Sequence, residues 1–298
     1  MRVAILGGTG FVGSYLVEAL LDAGHEVRAL VRPGSESKLA KSDDIAIVSG
    51  DLSSTQALRA LVDGCDAVIY NVGLLREFPG KGITFEQTQY QGVVDTIEAM
   101  QASGVERLLL MSAIGVKEAG TKYQSTKYRA ERHALASDRQ VTVLRPSVVF
   151  GDPRGTMEFA TQLYRDMIRP PLPAVDFGDV EMSPVFVGDV ATAFLAALED
   201  DATIGQVIEL AGPEVLSWRD IVTRIAEAAG KDKTFLPVPI PLMRAGATLL
   251  DWLPAYPVTR DQLTMLEEGN TASPDALRRL IRNEPRAMTP TALAYLAD

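Results

Sequence analysis

The sequence predicts an α/β protein built on a doubly wound, mostly parallel sheet, with a smaller, discontinuous C-terminal lobe. Short apolar runs alternate with stretches of helical period through the first half of the chain. A glycine cluster separates the first run from the first helical stretch, and prolines crowd the second half, where the alternation fades.

Val3–Leu6 reads as the first strand, and Phe11–Ala23 then places Phe11, Tyr15, Leu16, Ala19 and Leu20 at helical spacing. Gly24 stops that helix, Glu26–Val31 alternates as a buried strand, and Pro33-Gly34 breaks the chain. The rhythm continues with a strand at Ala46–Val48, a helix at Thr55–Val62 and a strand at Ala67–Tyr70. It ends with a helix at Thr88–Ala102, a strand at Arg107–Ser112, a helix at Tyr123–Ala136 and a strand at Val141–Leu144. Residues 1–151 are therefore expected to form the first domain, with 185–200 returning to it because Val185–Ala197 reads as a strand followed by a helix. The smaller lobe, for substrate or partner, takes 152–184 and 201–298. Prolines 170, 171, 173, 237, 239 and 241 mark it, and Ser217 with Asp220 signals a helix start at Trp218.

Composition narrows the function classes. The chain has 298 residues, 29 Lys+Arg and 39 Asp+Glu, giving a formal charge of −10. Such a field disfavours nucleic acid as a partner, because phosphate neutralisation needs clustered cations. The single cysteine, Cys65, excludes an internal disulfide, and two histidines, His25 and His133, offer no metal-ligand spacing, so no metal is expected. The longest apolar stretches, Leu108–Val116 and Ala245–Leu253, fall short of a transmembrane segment. The N-terminus reads as a strand rather than a signal peptide, and a cytoplasmic location is expected. The apolar stretch Phe235–Leu253, with Trp252, suits a pocket cover, a partner interface, a membrane surface or plain burial in the lobe.

Gly7-Gly8-Thr9-Gly10-Phe11-Val12-Gly13 lies between the first strand and the first helix, where the pyrophosphate of a dinucleotide meets a helix N-terminus in a Rossmann-type sheet. Gly7 and Gly10 permit the tight turn and close approach, and Gly13 lets helix and strand pack closely. Thr9, Phe11 and Val12 complete the expected cofactor contacts. At the end of the second strand stands Arg32, where an NAD-specific protein would carry an acidic residue, and Arg28, Ser35 and Lys38 lie near it in sequence. A guanidinium there suits a 2′-phosphate, so NADP(H) is expected in preference to NAD(H). Asp51-Leu52 follows the third strand, either at the adenine edge or as a cap for the helix from Thr55.

Tyr123 and Lys127 are four residues apart on one predicted helix face. A lysine ammonium beside a phenol favours phenolate and is expected to lower the tyrosine pKa, which suits proton exchange with a hydroxyl or carbonyl. Ser112, at the end of a strand, is placed to hold the same substrate oxygen.

Together these residues resemble the extended and atypical short-chain dehydrogenase/reductase superfamily, the epimerase/dehydratase-like proteins, over nearly the whole chain. Leu144-Arg145-Pro146 and the residues to Gly151 look like a family segment that shapes the nicotinamide pocket with Pro146. Val185–Ala193 is similar to a second one. Asn71-Val72-Gly73, continuing to Glu77, resembles the loop after the fourth strand in the group containing the nucleotide-binding accessory subunit of respiratory complex I. Pro257–Leu263 with Gly269-Asn270 resembles that group's C-terminal signature. The resemblance implies cofactor contacts by Asn71, Val72, Gly73, Lys127 and Pro146. It also implies an oxidoreductase or epimerase/dehydratase-like enzyme acting on an unknown small molecule through Ser112, Tyr123 and Lys127. The alternative it carries is a non-catalytic NADP(H)-binding accessory or assembly protein, peripheral to a membrane electron-transfer complex on its inner face. One departure is that Gln89 stands where the superfamily often has Asn for a proton relay.

Overall fold

The computed structural model describes residues 1–39, 42–74, 76–238 and 260–297. The first strand, β1 (Arg2–Leu6), runs into the glycine turn and helix α1 (Phe11–Asp22), and β2 (Glu26–Val31) follows. Then come β3 (Ile45–Ser49), α2 (Thr55–Val62), β4 (Ala67–Tyr70), α3 (Gly92–Ser103), β5 (Arg107–Met111), α4 (Lys122–Ala136) and β6 (Gln140–Pro146). Each boundary has a local cause. Ser54 caps α2 by accepting from the Ala57 amide at 3.2 Å, and Thr121 and Gln124 form a reciprocal capping box at α4. Gly104, at φ 71°, ends α3.

Among the described residues the main sheet has seven strands, in the order β11-β6-β5-β4-β1-β2-β3, where β11 is Val207–Leu210. The order reverses between β1 and β4, whose carboxyl ends therefore flank the crevice in which ligands of such sheets bind. The parallel register pairs Leu6 with Tyr70 and with Leu30, so the glycine turn, Asn71 and Arg32 all emerge at that edge. One core cluster joins Leu6, Val68, Tyr70, Leu108 and Leu110 of the strands to Leu58 and Leu61 of α2, Ile97 and Met100 of α3 and Ala130 of α4. The alternate strand residues Val3, Ile5, Ile69 and Leu109 are buried as well, as expected for a sheet covered on both faces.

The chain divides into two compact units, Met1–Arg145 with Val190–Ile208, and Pro146–Asp189 with Glu209–Asp298. In the second unit, Phe150, Phe177, Met182, Trp218, Ile221, Ile225 and Leu293 form a core of their own. Ser217 and Asp220 cap α7 (Trp218–Ala228) in a second capping box. Asn270 lies after α8 (Arg260–Glu268), and its carbonyl accepts from the Ser183 amide at 2.9 Å and the Ser147 hydroxyl at 3.1 Å. The strand at Val185–Phe186, β10, departs from expectation: it pairs with Val149–Phe150, β7, and not with the main sheet. Helix α6 (Val187–Glu199) follows it, and β11 is the strand that extends the sheet, next to β6. Residues 239–259 lie outside the described residues, and with them Trp252, most of the Phe235–Leu253 stretch and the start of the Pro257–Leu263 segment. Among the described residues no helix is long and apolar enough to cross a membrane.

Candidate cofactor cleft and active site

The glycine turn is held by short backbone contacts that leave no room for side chains. Gly7 has φ 86°, and a Cβ there would stand 2.5 Å from the Asn71 carbonyl oxygen. A Cβ on Gly13 would overlap the Gly7 carbonyl oxygen, so this helix packs against the turn backbone to backbone. Gly10 caps α1 with no side-chain hydrogen bond, and the first turn contains no acidic residue. The amides there are oriented for an anion, which fits a dinucleotide pyrophosphate. Thr9, Phe11 and Val12 are half-buried around this terminus, and the Asn71 side-chain amide donates to the Gly7 carbonyl at 3.4 Å, joining the β1 and β4 ends.

Arg32 is exposed at the end of β2, and its charge helps to hold the Asp51 carboxyl below the ordinary carboxylate range, behind the larger effect of the Ser53 hydroxyl. Asp51 accepts from the Ser53 hydroxyl at 2.6 Å and amide at 2.9 Å. It therefore orders the loop before α2, while Ser54 is the helix cap. Leu52 packs on the core cluster beside α2 and α3. Arg28 is committed elsewhere: its guanidinium donates to the carbonyls of Ala60, Leu61 and Asp63, closing the C-terminus of α2.

Ser112 and Lys127 meet at a cavity of about 10 Å³, room for one water, lined also by Tyr70, Val72, Gln89, Met111 and Ala130. The Ser112 hydroxyl oxygen is buried and makes no protein hydrogen bond. Lys127 Nζ donates to the Met111 carbonyl at 3.1 Å, and a Cβ on Gly73 would lie 3.9 Å from that nitrogen. Tyr123 stands beside them, its ring centroid 5.8 Å from Lys127 Nζ and edge-on to Phe85 at 5.8 Å. Pro146 is the buried last residue of β6.

The electrostatics differ from expectation. Burial raises the Tyr123 phenol above its ordinary value, where the sequence pattern suggests a lowered one. Lys127 absorbs the same cost: burial brings it down to about 8, with Glu131 opposing the fall. Glu131, one helical turn further on, is 2% exposed and receives two hydrogen bonds from Arg145, at 2.8 and 2.5 Å. A carboxylate four residues past a candidate lysine is the one sequence signal that points to Glu131, and its burial is not legible there. Among the described residues no group of His, Cys, Asp and Glu has the makings of a metal site.

A family model described as NAD(P)H-binding matches residues 7–170, more than half of the chain. The chain is 24% identical to the NADH dehydrogenase [ubiquinone] 1 alpha subcomplex subunit 9, mitochondrial, of Arabidopsis thaliana, over 92% of this chain and 70% of that one. It is 28% identical to a ceramide reductase of Caulobacter vibrioides, over 84% of this chain and 78% of the other. Among solved structures, an NADPH-dependent quinone oxidoreductase from Escherichia coli superposes with a TM-score of 0.74 at 18% identity, covering 98% of each chain. With its seven-stranded sheet, its glycine turn and this match over residues 7–170, the chain belongs to the NAD(P)H-binding family, and its fold is shared with solved epimerase and oxidoreductase structures.

Proposed function

We propose that this protein is an NADP(H)-dependent oxidoreductase that interconverts a carbonyl and an alcohol on a small organic substrate. The observation that carries this reading is the meeting of Ser112 and Lys127 at one cavity with Tyr123 alongside, on the sheet edge that also bears the uncapped helix N-terminus. The dinucleotide would supply a hydride at its nicotinamide C4. The amides of Gly10–Gly13 would bind its pyrophosphate, Arg32 its 2′-phosphate, and Asp51-Leu52 with Asn71–Gly73 and Pro146 its remaining faces. Ser112, with a hydroxyl free of protein partners, orients the substrate oxygen by donating to it. Tyr123 enters as a neutral phenol, so in the reducing direction it is the proton donor to that oxygen. Lys127 binds the nicotinamide ribose and, once protonated there, favours the phenolate left behind.

The test starts from the purified protein. Nucleotide released on denaturation is identified, and NADPH and NADH are titrated by calorimetry into the wild type and Arg32→Ala. Tighter binding of NADPH, with that preference lost in Arg32→Ala, supports the reading, and equal binding of both cofactors overturns the NADP(H) assignment. With a carbonyl panel, Tyr123→Phe is expected to cut turnover at least about 100-fold while leaving NADPH affinity within twofold. Full turnover in that variant would remove Tyr123 from the mechanism.

A second reading has its own support, the alignment with a plant complex I subunit over 92% of this chain. In it the protein holds NADP(H) as a structural ligand at the periphery of a membrane electron-transfer complex. Affinity capture from native membranes distinguishes the two: respiratory or photosynthetic subunits recovered in stoichiometric amount favour the accessory role.

A further inference from the structure

Gln89 is buried, 2% exposed, in a six-residue π-helical turn, Glu86–Gln91, that precedes α3. Such turns insert one extra residue into a helix and often mark functional sites. The turn is pinned by its surroundings. The Tyr70 hydroxyl donates to the Thr88 carbonyl at 2.5 Å, and the absent Cβ of Gly92 makes room for that hydroxyl. The extra residue aims the Gln89 amide inward, where Nε2 donates to the Leu74 carbonyl at 3.0 Å and Oε1 accepts from the Thr126 hydroxyl at 2.9 Å.

The orientation of this amide is fixed by chemistry. Only the nitrogen end can face a backbone carbonyl, so the oxygen end faces Thr126, whose hydroxyl also lies 2.7 Å from the Lys122 carbonyl and 3.1 Å from the Tyr123 carbonyl and shares its one proton among the three. Both ends of the amide are anchored on protein, one on the loop after β4 and the other on α4. What it joins is informative. Leu74 directly follows Asn71–Gly73, and Thr126 directly precedes Lys127, whose Nζ lies beside Gly73 and is bonded to Met111.

We propose that Gln89 is a positioning residue, a buried clamp that holds the loop after β4 against α4 and so sets the distance between the cofactor-facing backbone and the Lys127 ammonium. This rests on the cofactor-cleft reading above for its consequence, and on the unliganded geometry alone for its existence. A serine or asparagine would be too short to span both partners, and a glutamate would set a carboxylate oxygen against the Leu74 carbonyl.

The test uses the full chain carrying Gln89→Met, which keeps the side-chain length and removes both polar ends, with Thr126→Val and the double variant. Two quantities are read: NADPH affinity by calorimetry, and titration of Lys127 by NMR of the lysine side chains in the ligand-free protein. The groups facing that ammonium are Glu131 and Tyr123 on α4 and Ser112 after β5, and all three are unchanged in the variants. The clamp predicts that either single variant weakens NADPH on the order of tenfold, the scale of one buried hydrogen bond, and that the double variant is no worse than the poorer single. It also predicts that Lys127 titrates at higher pH, toward an ordinary lysine, as the loosened loop admits water. NADPH affinity within twofold of wild type together with an unmoved Lys127 titration would overturn it. If Gln89→Met fails to fold, Thr126→Val carries the same comparison. If the wild type binds no dinucleotide, the functional reading fails, and the Lys127 titration still decides the clamp.

Discussion

A methyl group on Gly13 would overlap the Gly7 carbonyl oxygen, and no side-chain rotation can relieve a clash between two backbones. Gly13→Ala should therefore push α1 away from the turn, lowering stability by about 1–3 kcal/mol and NADPH affinity at least about tenfold. Thermal unfolding and calorimetry read the two effects separately. Glycines, Tyr123 and Lys127 were legible because their use depends on spacing alone: a missing Cβ, or two side chains one helical turn apart. Gln89 and Glu131 were not. A polar residue in a helical stretch reads as solvent-facing unless its partner is known, and the partners here, Leu74 and Thr126 for one and Arg145 for the other, come from different elements.

The elements whose ends coincide with expectation are Glu26–Val31, Thr55–Val62 and Ala67–Tyr70, the second opened by its Ser54 cap. Strand β11 is not legible in the sequence, because four residues with one glutamate at a sheet edge carry little hydrophobic periodicity. The π-turn has no compositional sign, since it is set by packing against Tyr70. Two predictions belong at this scale. Arg28 closes α2 through three carbonyls, so Arg28→Ala should cost about 1–2 kcal/mol without changing cofactor preference, as checked by denaturant unfolding and NADPH/NADH titration. Glu131 ties α4 to β6 through Arg145, so Glu131→Gln removes the carboxylate charge from a largely buried ion pair. A loss of about 3 kcal/mol is expected in unfolding, with Glu131→Gln/Arg145→Met recovering most of it.

For the whole molecule, Lys127 has a folded pKa of about 8 against an ordinary 10.5, so between those values the unfolded chain binds more protons than the folded one. Stability owed to this group rises with pH across that window. Tyr123, and Tyr70 with it, oppose the trend above about pH 10, because burial favours their neutral phenols and unfolding frees them to ionise. Subtracting the curve of Lys127→Met from that of wild type should leave an upward slope from pH 8 to 10; a flat difference would show that the ammonium is hydrated in the folded state. The division into two units carries a further consequence, for synthesis on the ribosome. The first unit needs residues 190–208, and β6 gains its outer neighbour only when β11 has left the exit tunnel. Until then the nascent chain presents Val141, Val143 and Leu144 along an open strand edge, the kind that recruits other chains. A fragment ending at residue 151 should accordingly aggregate where the full chain does not, and translation pausing before residue 208 would lengthen the period in which a chaperone must cover that edge.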